Sequence, residues 1–561
     1  MELDRWVKAN GYENVRDFGQ RFVIPVLGAC FIAFFIVLFG FTTPWWVPYC
    51  FLIFGVGFVF AYPYTQFEKK KVDIHENIHL FITYAGTIST LNVNRAQFFK
   101  RVADQKQYGE ISNTCERILY LAKEWNMGFA GTCRRLARYT PSPIFADFLD
   151  RMAAILDFGE DLEVFLTDEQ EAVMADYASE YKQSLENIKM LQDMFISLTI
   201  AVAFAMSAAL LLPLLMGIPI ITIVQYGLLA LFLMDLSLLM MIKVFIPADP
   251  LSINLGIKDE GQKRIDKWLL ICTPISVALL FVFLFAFNLQ LIYAVTFASI
   301  PLFIVGVIAM QEESAIFSRD KAYPPFIRAV GGTIYVRGGG VVSALGALQV
   351  HDFGVLQPMM TNLYRRLRIG TEKTRSWLYF SAETGSALIF HFTRIFTESI
   401  YLGGNGEKIG KIISENFTKL LNLRKLRLQL ASSMRGALYG GLVGFVVTVY
   451  MSATITDLLA KLFGSVLVDD SGGAQALFSS ILPQIPPVDI TLVSTYIGVM
   501  VIIHAITSAY VIKVIDGGKW EAMFFDVVLM LAVGCLIAYF VPKLSAWAFG
   551  DIIKSAPTVG G

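Results

Sequence analysis

The most explicit chemistry in the chain is His75-Glu76-Asn77-Ile78-His79. This is H-E-x-x-H. On a helix it sets two imidazoles on one face for zinc and supplies a glutamate as general base. Catalytic zinc needs a third protein ligand. The extended form of the motif fails, because Ile82 stands at its glycine position and no histidine follows at 85. His351, His391 and His504 are remote, which leaves Glu110 or Glu116 as third ligands. Membrane-embedded zinc proteases carry the motif inside an apolar span, whereas here it follows Glu68-Lys69-Lys70-Lys71. The expectation is a helix entry that holds no metal. A membrane zinc metalloprotease is the alternative.

Nucleotide hydrolysis needs GxxxxGK[ST], whose backbone N–H groups cradle the phosphates. The nearest segment, Gly403 to Ile412, has Asn405 where the first glycine belongs and Ile412 in place of Ser/Thr. The acidic end of Leu162 to Glu169 has no P-loop to serve. No cofactor and no enzymatic activity are expected, so nucleotide energy must come from a partner.

Two basic clusters invite a docking role. One is Arg365, Arg366, Arg368, Lys373 and Arg375; the other is Arg424, Lys425 and Arg427. The second precedes an apolar span, where anchoring at an anionic leaflet competes with protein docking. The first lies far from any span, and an acidic protein surface is its preferred partner. No nucleic-acid module accompanies either cluster. Two ionisable residues fall inside apolar runs, Asp235 and His504. They sit at matching depth, about 15 and 12 Å from one end of their spans at 1.5 Å per residue. They can pair, either as a packing hydrogen bond or as part of a proton path. A multi-pass transporter would need more such groups.

The elements that must position these residues follow from composition. The 561 residues are 55% hydrophobic and 16% charged, against about 25% charged in soluble domains. Mean hydropathy is +0.59. Net charge is zero, and 13% aromatic content argues against disorder. The six cysteines form no CxxC, so neither a disulfide framework nor a zinc ribbon is expected.

Nine stretches meet the requirement of about 20 apolar residues for a span: 22–41, 45–62, 195–217, 219–245, 268–287, 289–309, 437–460, 490–512 and 523–546. Pro44, Gly217-Ile218-Pro219 and Asn288 turn the first three hairpins. Lysine and arginine flank one set of span ends, including Arg5, Lys8, Arg16, Arg21, Lys69 to Lys71, Lys263, Arg264, Lys513 and Lys519. The positive-inside rule then places the N-terminus in the cytoplasm and the C-terminus outside. The initial segment is not read as a cleaved signal peptide.

The expected organisation is all-α and polytopic. A cytoplasmic N-terminus and first hairpin occupy 1–62, and a cytoplasmic helical domain 63–193. Spans three to six fill 194–309. A second cytoplasmic domain occupies 310–435, and spans seven to nine fill 436–561 with an external loop at 461–489. The first domain carries 15 Lys/Arg against 20 Asp/Glu, net −5; the second carries 17 against 9, net +8. Helical periodicity marks Glu110–Glu124, Phe145–Leu156, and 161–194 running into the third span. In the second domain it marks Met359–Arg368, Ser376–Ile400 and Ile409–Leu430. Gly331-Gly332, Gly338 to Gly340 and Gly403-Gly404 punctuate that domain. The order hairpin, domain, hairpin occurs twice, as 1–247 and 268–512. Phe145 to Gly159 echoes Phe390 to Gly404 at an offset of 245 residues.

Phe145-Ala-Asp-Phe148-Leu-Asp-Arg151 to Phe158-Gly159, and Phe390-His-Phe392-Thr-Arg394 to Gly403-Gly404, each precede a long helix that enters a span. This layout resembles the F-domain platform proteins of type II secretion and type IV pili. Nine spans and this length look most like the archaellum (archaeal flagellum) platform proteins of the FlaJ/ArlJ type. The resemblance implies a motility-linked membrane platform on which a cytosolic hexameric secretion-type ATPase docks and pilin-like subunits are stacked. It also implies other archaellum motor components as partners, a homo-oligomer such as a dimer, and contact with membrane lipid.

Overall fold

A computed structural model describes residues 47–555 apart from 92, 217–219, 254, 257–259, 339 and 470–489, together with Phe18 and Val23. The chain is all-helical. The first bundle opens with α1 (Val47–Ser89), followed by α2 (Arg95–Asp104), α3 (Glu110–Glu124), α4 (Phe129–Ala137) and α5 (Pro143–Phe158). Then come α6 (Leu162–Met216), α7 (Ile220–Phe245) and α8 (Glu260–Phe281). The second bundle is built on α9 (Leu291–Arg337), α10 (Gly340–Leu348), α11 (Gln357–Arg368), α12 (Lys373–Thr384) and α13 (Ala387–Tyr401). The chain closes with α14 (Gly406–Asp469), α15 (Ile490–Asp516) and α16 (Met523–Ser555).

Among the described residues seven helices are long and apolar enough to cross a membrane: α6 to α9 and α14 to α16. The protein is therefore a multi-pass membrane protein. The expected span at 22–41 lies, apart from Val23, outside the described residues, and 45–62 falls mostly on the first turns of α1. The turns at Pro44 and 217–219 and most of the 461–489 loop also lie outside the described residues. Asn288 does turn a hairpin, at φ +46°. Large apolar side chains on α7, α8 and the π-helical turn Val282–Ala286 that continues α8, such as Phe232, Leu270 and Phe285, are 45%, 79% and 76% exposed, as lipid-facing positions should be.

Caps set the bundle helices. Ser142 accepts the Phe145 N–H at the start of α5, with Pro143 in the first turn. Pro tolerates that place because its missing N–H is an orphan there anyway. Ser386 does the same for Ile389 at the start of α13. The Ser376–Ile400 stretch is thus two helices rather than one, broken where Gly385 takes φ +65° ahead of the Ser386 cap. Gly331-Gly332 does not break the chain: both residues lie inside α9. A Cβ on Gly331 would collide with the Gly406 carbonyl, so the missing side chain lets α9 lie against the start of α14. One continuous core runs through both bundles into the membrane, from Phe81, Phe145 and Phe148 to Phe326, Phe392 and Phe417, and on to Leu442 and Val501.

Candidate functional site

Two helices form a spine. Along α6 and α14, residues related by the repeat offset touch one another. Lys408 Nζ lies 2.6 Å from Glu163 Oε1, and Gln170 Nε2 donates to Asn416 Oδ1 at 3.3 Å. Deeper in the membrane the Ser207 and Ser452 hydroxyls are hydrogen-bonded, and Thr456 Oγ1 donates to the Leu210 carbonyl at 3.1 Å. The sequence separations are 245, 246, 245 and 246 residues. Equivalent residues of two copies can meet along a whole helix only beside an internal two-fold. The helices therefore run parallel, for about 70 Å at 1.5 Å per residue. Both copies keep one membrane orientation, which makes this a parallel repeat about the membrane normal rather than an inverted one.

The next helices repeat the relationship. Gln225 on α7 donates to Tyr496 Oη on α15 at 3.2 Å. His504 Nδ1 lies 3.0 and 3.1 Å from the two oxygens of Asp235. These separations are 271 and 269 residues, longer because of the 461–489 insertion. Asp235 and His504 are each only 1% exposed. The His504 ring is flanked by Phe195 and Phe445 at 6.0 and 5.7 Å between centroids. The structure brings this expected pair together.

Where the bundles meet the spans lies a buried charge knot. Arg424 on α14 grips both oxygens of Asp249, reaches Asp320 Oδ2 at 2.9 Å, and donates to the Pro250 carbonyl at 3.1 Å. Arg427, one turn on, donates to the carbonyls of Ile515, Pro247 and Val514 at 2.6, 3.0 and 3.2 Å. Asp320 also accepts the Ser386 hydroxyl, so the α13 cap and the knot share a residue. The segment after α7 is thereby clamped: Ala387 N–H donates to the Leu251 carbonyl at 3.1 Å. Burial would raise the Asp249 carboxyl, yet Arg424 and Arg427 hold it below its ordinary range. Asp320 has less help, and burial pushes it up to about 6. Further out, Lys513 bridges Glu313 and Asp516 at 2.6 and 3.0 Å, tying α9 to α15.

The second basic cluster is thus corrected. Arg424 and Arg427 are 3% and 4% exposed and offer nothing to a docking partner or a lipid headgroup; Lys425 alone of the three faces outward. In the first cluster Arg365, Arg368, Lys373 and Arg375 are exposed, while Arg366 pairs with Glu383. Asp249 and Asp320 went unnoticed in the sequence. Two arginines three residues apart beside a span were the available signal, since that spacing puts both on one helix face.

The H-E-x-x-H residues lie on α1. His75 Nδ1 sits 3.0 Å from Glu180 Oε2. His79 is buried with its ring 4.7 Å from that of Tyr177, and burial drives its pKa down to about 3. Burial also raises Glu76. Glu110 lies near Lys70 and Arg117, and Glu116 pairs with Lys106 at 2.6 Å. Among the described residues no group of three or more His, Cys, Asp or Glu is placed to hold a metal ion. The P-loop-like stretch forms a cap and the first turns of α14, with Asn405 Oδ1 accepting the Glu407 and Lys408 N–H groups. The Leu162 to Glu169 stretch is the start of α6 rather than a strand.

Comparison with known proteins meets this geometry. Residues 81–213 match the family "Type II secretion system (T2SS), protein F"; they cover the end of α1 through the first span of the spine. "Flagella accessory protein J" of Methanocaldococcus jannaschii is 31% identical over 549 residues, covering 95% of this chain and 96% of that one. Its namesake in Methanococcus voltae is 30% identical over 539 residues, covering 93% and 95%. No solved structure matches the chain. End-to-end identity at this level, on an all-helical membrane fold carrying a protein F region, shows that the chain belongs to the flagella accessory protein J family, the archaellum platform proteins of the FlaJ/ArlJ type.

Proposed function

We propose that this platform takes mechanical work from a cytosolic hexameric ATPase and delivers it to filament subunits in the membrane. Residues 63–193 and 310–435 are then two cytoplasmic domains, with the N-terminus inside and the C-terminus outside. The protein itself catalyses no reaction on this reading. The supporting observation is the spine: α6 and α14 run unbroken from the bundles into the apolar region, paired residue for residue. A push on either bundle reaches the Ser207–Ser452 level without crossing a loop.

The bundles differ in charge, net −5 against +8, and the exposed Arg365 and Arg368 lie on one face of α11. The second bundle is the electrostatic contact for an acidic ATPase surface. Such complementarity sets encounter rate and register more than affinity. The test is binding of the purified ATPase to the full chain in lipid nanodiscs. Binding should weaken between low and physiological salt, as the Debye length falls to about 8 Å. Arg365→Glu with Arg368→Glu should weaken it further. Salt-independent binding, or binding indifferent to the double reversal, would show that the docking surface lies elsewhere.

A further inference from the structure

A groove of about 700 Å³ opens between α12 and α13 of the second bundle, within the usual range of about 300–1,000 Å³ for ligand pockets. Trp377, Phe390 and Leu402 line its wall. Trp377 is 2% exposed and fixed by an Nε1–H bond of 3.4 Å to Tyr401 Oη; Leu402 is 39% exposed. The groove is thus a preformed apolar slot whose lip is open to solvent.

Its rim is cationic. Arg375 and Arg394 are both exposed lining residues. Arg394 makes a long contact of 3.4 Å to Gln105 Oε1 and lies within electrostatic reach of Glu398, and Arg375 lies 5.9 Å over the Tyr379 ring. Of the two carboxylates in the lining, Glu372 stands at the exposed start of α12. Glu398 is engaged: its Oε1 accepts from Tyr84 Oη at 2.5 Å and from Gln105 Nε2 at 2.8 Å. Lys373 adds a further positive charge beside the mouth, 4.8 Å over the ring of the groove residue Tyr401.

We propose that this groove seats an apolar side chain carried on an acidic segment of the cytosolic ATPase, an inference that rests on the platform reading above. An anchor side chain buried in a pocket with charged contacts around it is the usual form of a binding hot spot. The slot supplies the apolar contact, and the arginines select carboxylates flanking the anchor. The floor gives the position mechanical meaning. Glu398 belongs to the second bundle, and the two groups it holds, Tyr84 and Gln105, belong to the first. Next to it Ser399 Oγ donates to Thr87 Oγ1 at 2.9 Å, and Asn416 of the spine donates to Thr83 Oγ1 at 2.9 Å. An occupant therefore rests on the seam joining both bundles to α14.

The experiment uses the full chain in nanodiscs and the purified secretion-type ATPase of the same organism. Thr374, an exposed groove residue, is changed to Trp to fill the slot; Arg375→Glu with Arg394→Glu reverses the rim. Each change should weaken binding at least tenfold, and only the second should flatten its salt dependence. A benzoylphenylalanine at position 374 should photocrosslink to the ATPase, whereas one at Tyr120, 59% exposed on the first bundle, should not. Wild-type binding with both variants within twofold, and no adduct at 374, overturns the groove and leaves the platform reading standing. Failure of the wild type to bind at all overturns the platform reading and the groove with it.

Discussion

Ser207 and Ser452 share a hydrogen bond although 245 residues separate them, and that separation is the repeat length of the chain. Each is the counterpart of the other, so the internal two-fold passes between their hydroxyls. Ser207→Cys with Ser452→Cys should therefore crosslink under mild oxidation. With a protease site inserted at 254–259, the cut halves should stay joined until reduced. Of the six cysteines, Cys115, Cys133, Cys272 and Cys535 are buried; Cys30 and Cys50 are replaced by serine for the test. Halves that separate without reductant would mean the spine is not parallel.

The Asp235–His504 contact lies close to the same axis. Removing one partner of a buried pair costs about 3–5 kcal/mol, since the other is left without compensation. Asp235→Ala should lower thermal stability in nanodiscs to that extent, while Asp235→Asn, which keeps a hydrogen-bonding oxygen, should cost about 1 kcal/mol. If Asp235→Asn folds and accumulates normally yet abolishes filament assembly, the pair carries protons rather than holding helices.

Orientation has its own check. Single cysteines at 130 and 370 should resist an impermeant thiol reagent in intact cells, and one at 472 should react. The inverse pattern would put the bundles outside and remove them from any cytosolic ATPase.

Much of the fold was legible because apolar run length and helical period are local properties. The ends of α3, at Glu110 and Glu124, fall where the period places them, and α6 runs into its span as the missing breaker between 161 and 194 implies. Tertiary contact decided the rest. Gly331 reads as a breaker until α14 is seen packed against it. Arg424 reads as an exposed charge until Asp249 and Asp320, 175 and 104 residues away, are brought to it. The Asp235–His504 pair was readable because depth in a membrane is a common ruler for distant residues.

Burial depresses the pKa of His79 to about 3, against about 6.5 in the unfolded chain. Over that window the folded state binds fewer protons than the unfolded one. The contribution to stability is thus complete above pH 6.5 and lost as pH falls, at about 1.4 kcal/mol per pH unit. His391, lowered to about 4 by burial, acts in the same direction, and Asp320, raised to about 6, acts against both. The clean measurement is a difference. Between pH 6.5 and 5, wild type should lose about 2 kcal/mol more than His79→Gln. Equal losses would mean His79 is not buried as a neutral ring. The same preparations should bind no stoichiometric zinc; one zinc per chain, lost on His79→Ala, would restore the metalloprotease reading.

Arg424 and Lys425 are sequence neighbours with opposite fates, one 3% exposed and the other on the exposed surface. If the second cluster worked as a docking or lipid surface, neutralising either residue would weaken partner or membrane binding and leave the fold intact. The knot requires another outcome. Arg424→Leu strands Asp249 and Asp320 in the interior without their cation, so the intact protein should lose about 3–5 kcal/mol. Lys425→Leu should stay within about 0.5 kcal/mol of wild type. Pairing Arg424→Leu with Asp320→Leu should recover part of the loss, because one of the two stranded carboxylates is gone; Asp249, left with the field of Arg427 but no hydrogen-bonded cation, sets the remainder. Thermal unfolding of the four proteins in nanodiscs separates the cases. Equal, small effects at 424 and 425 would show that Arg424 does not lock the bundle to the segment after α7. The ties left at that level would then be Arg435–Asp526, joining α14 to α16, and Lys513–Glu313, joining α15 to α9.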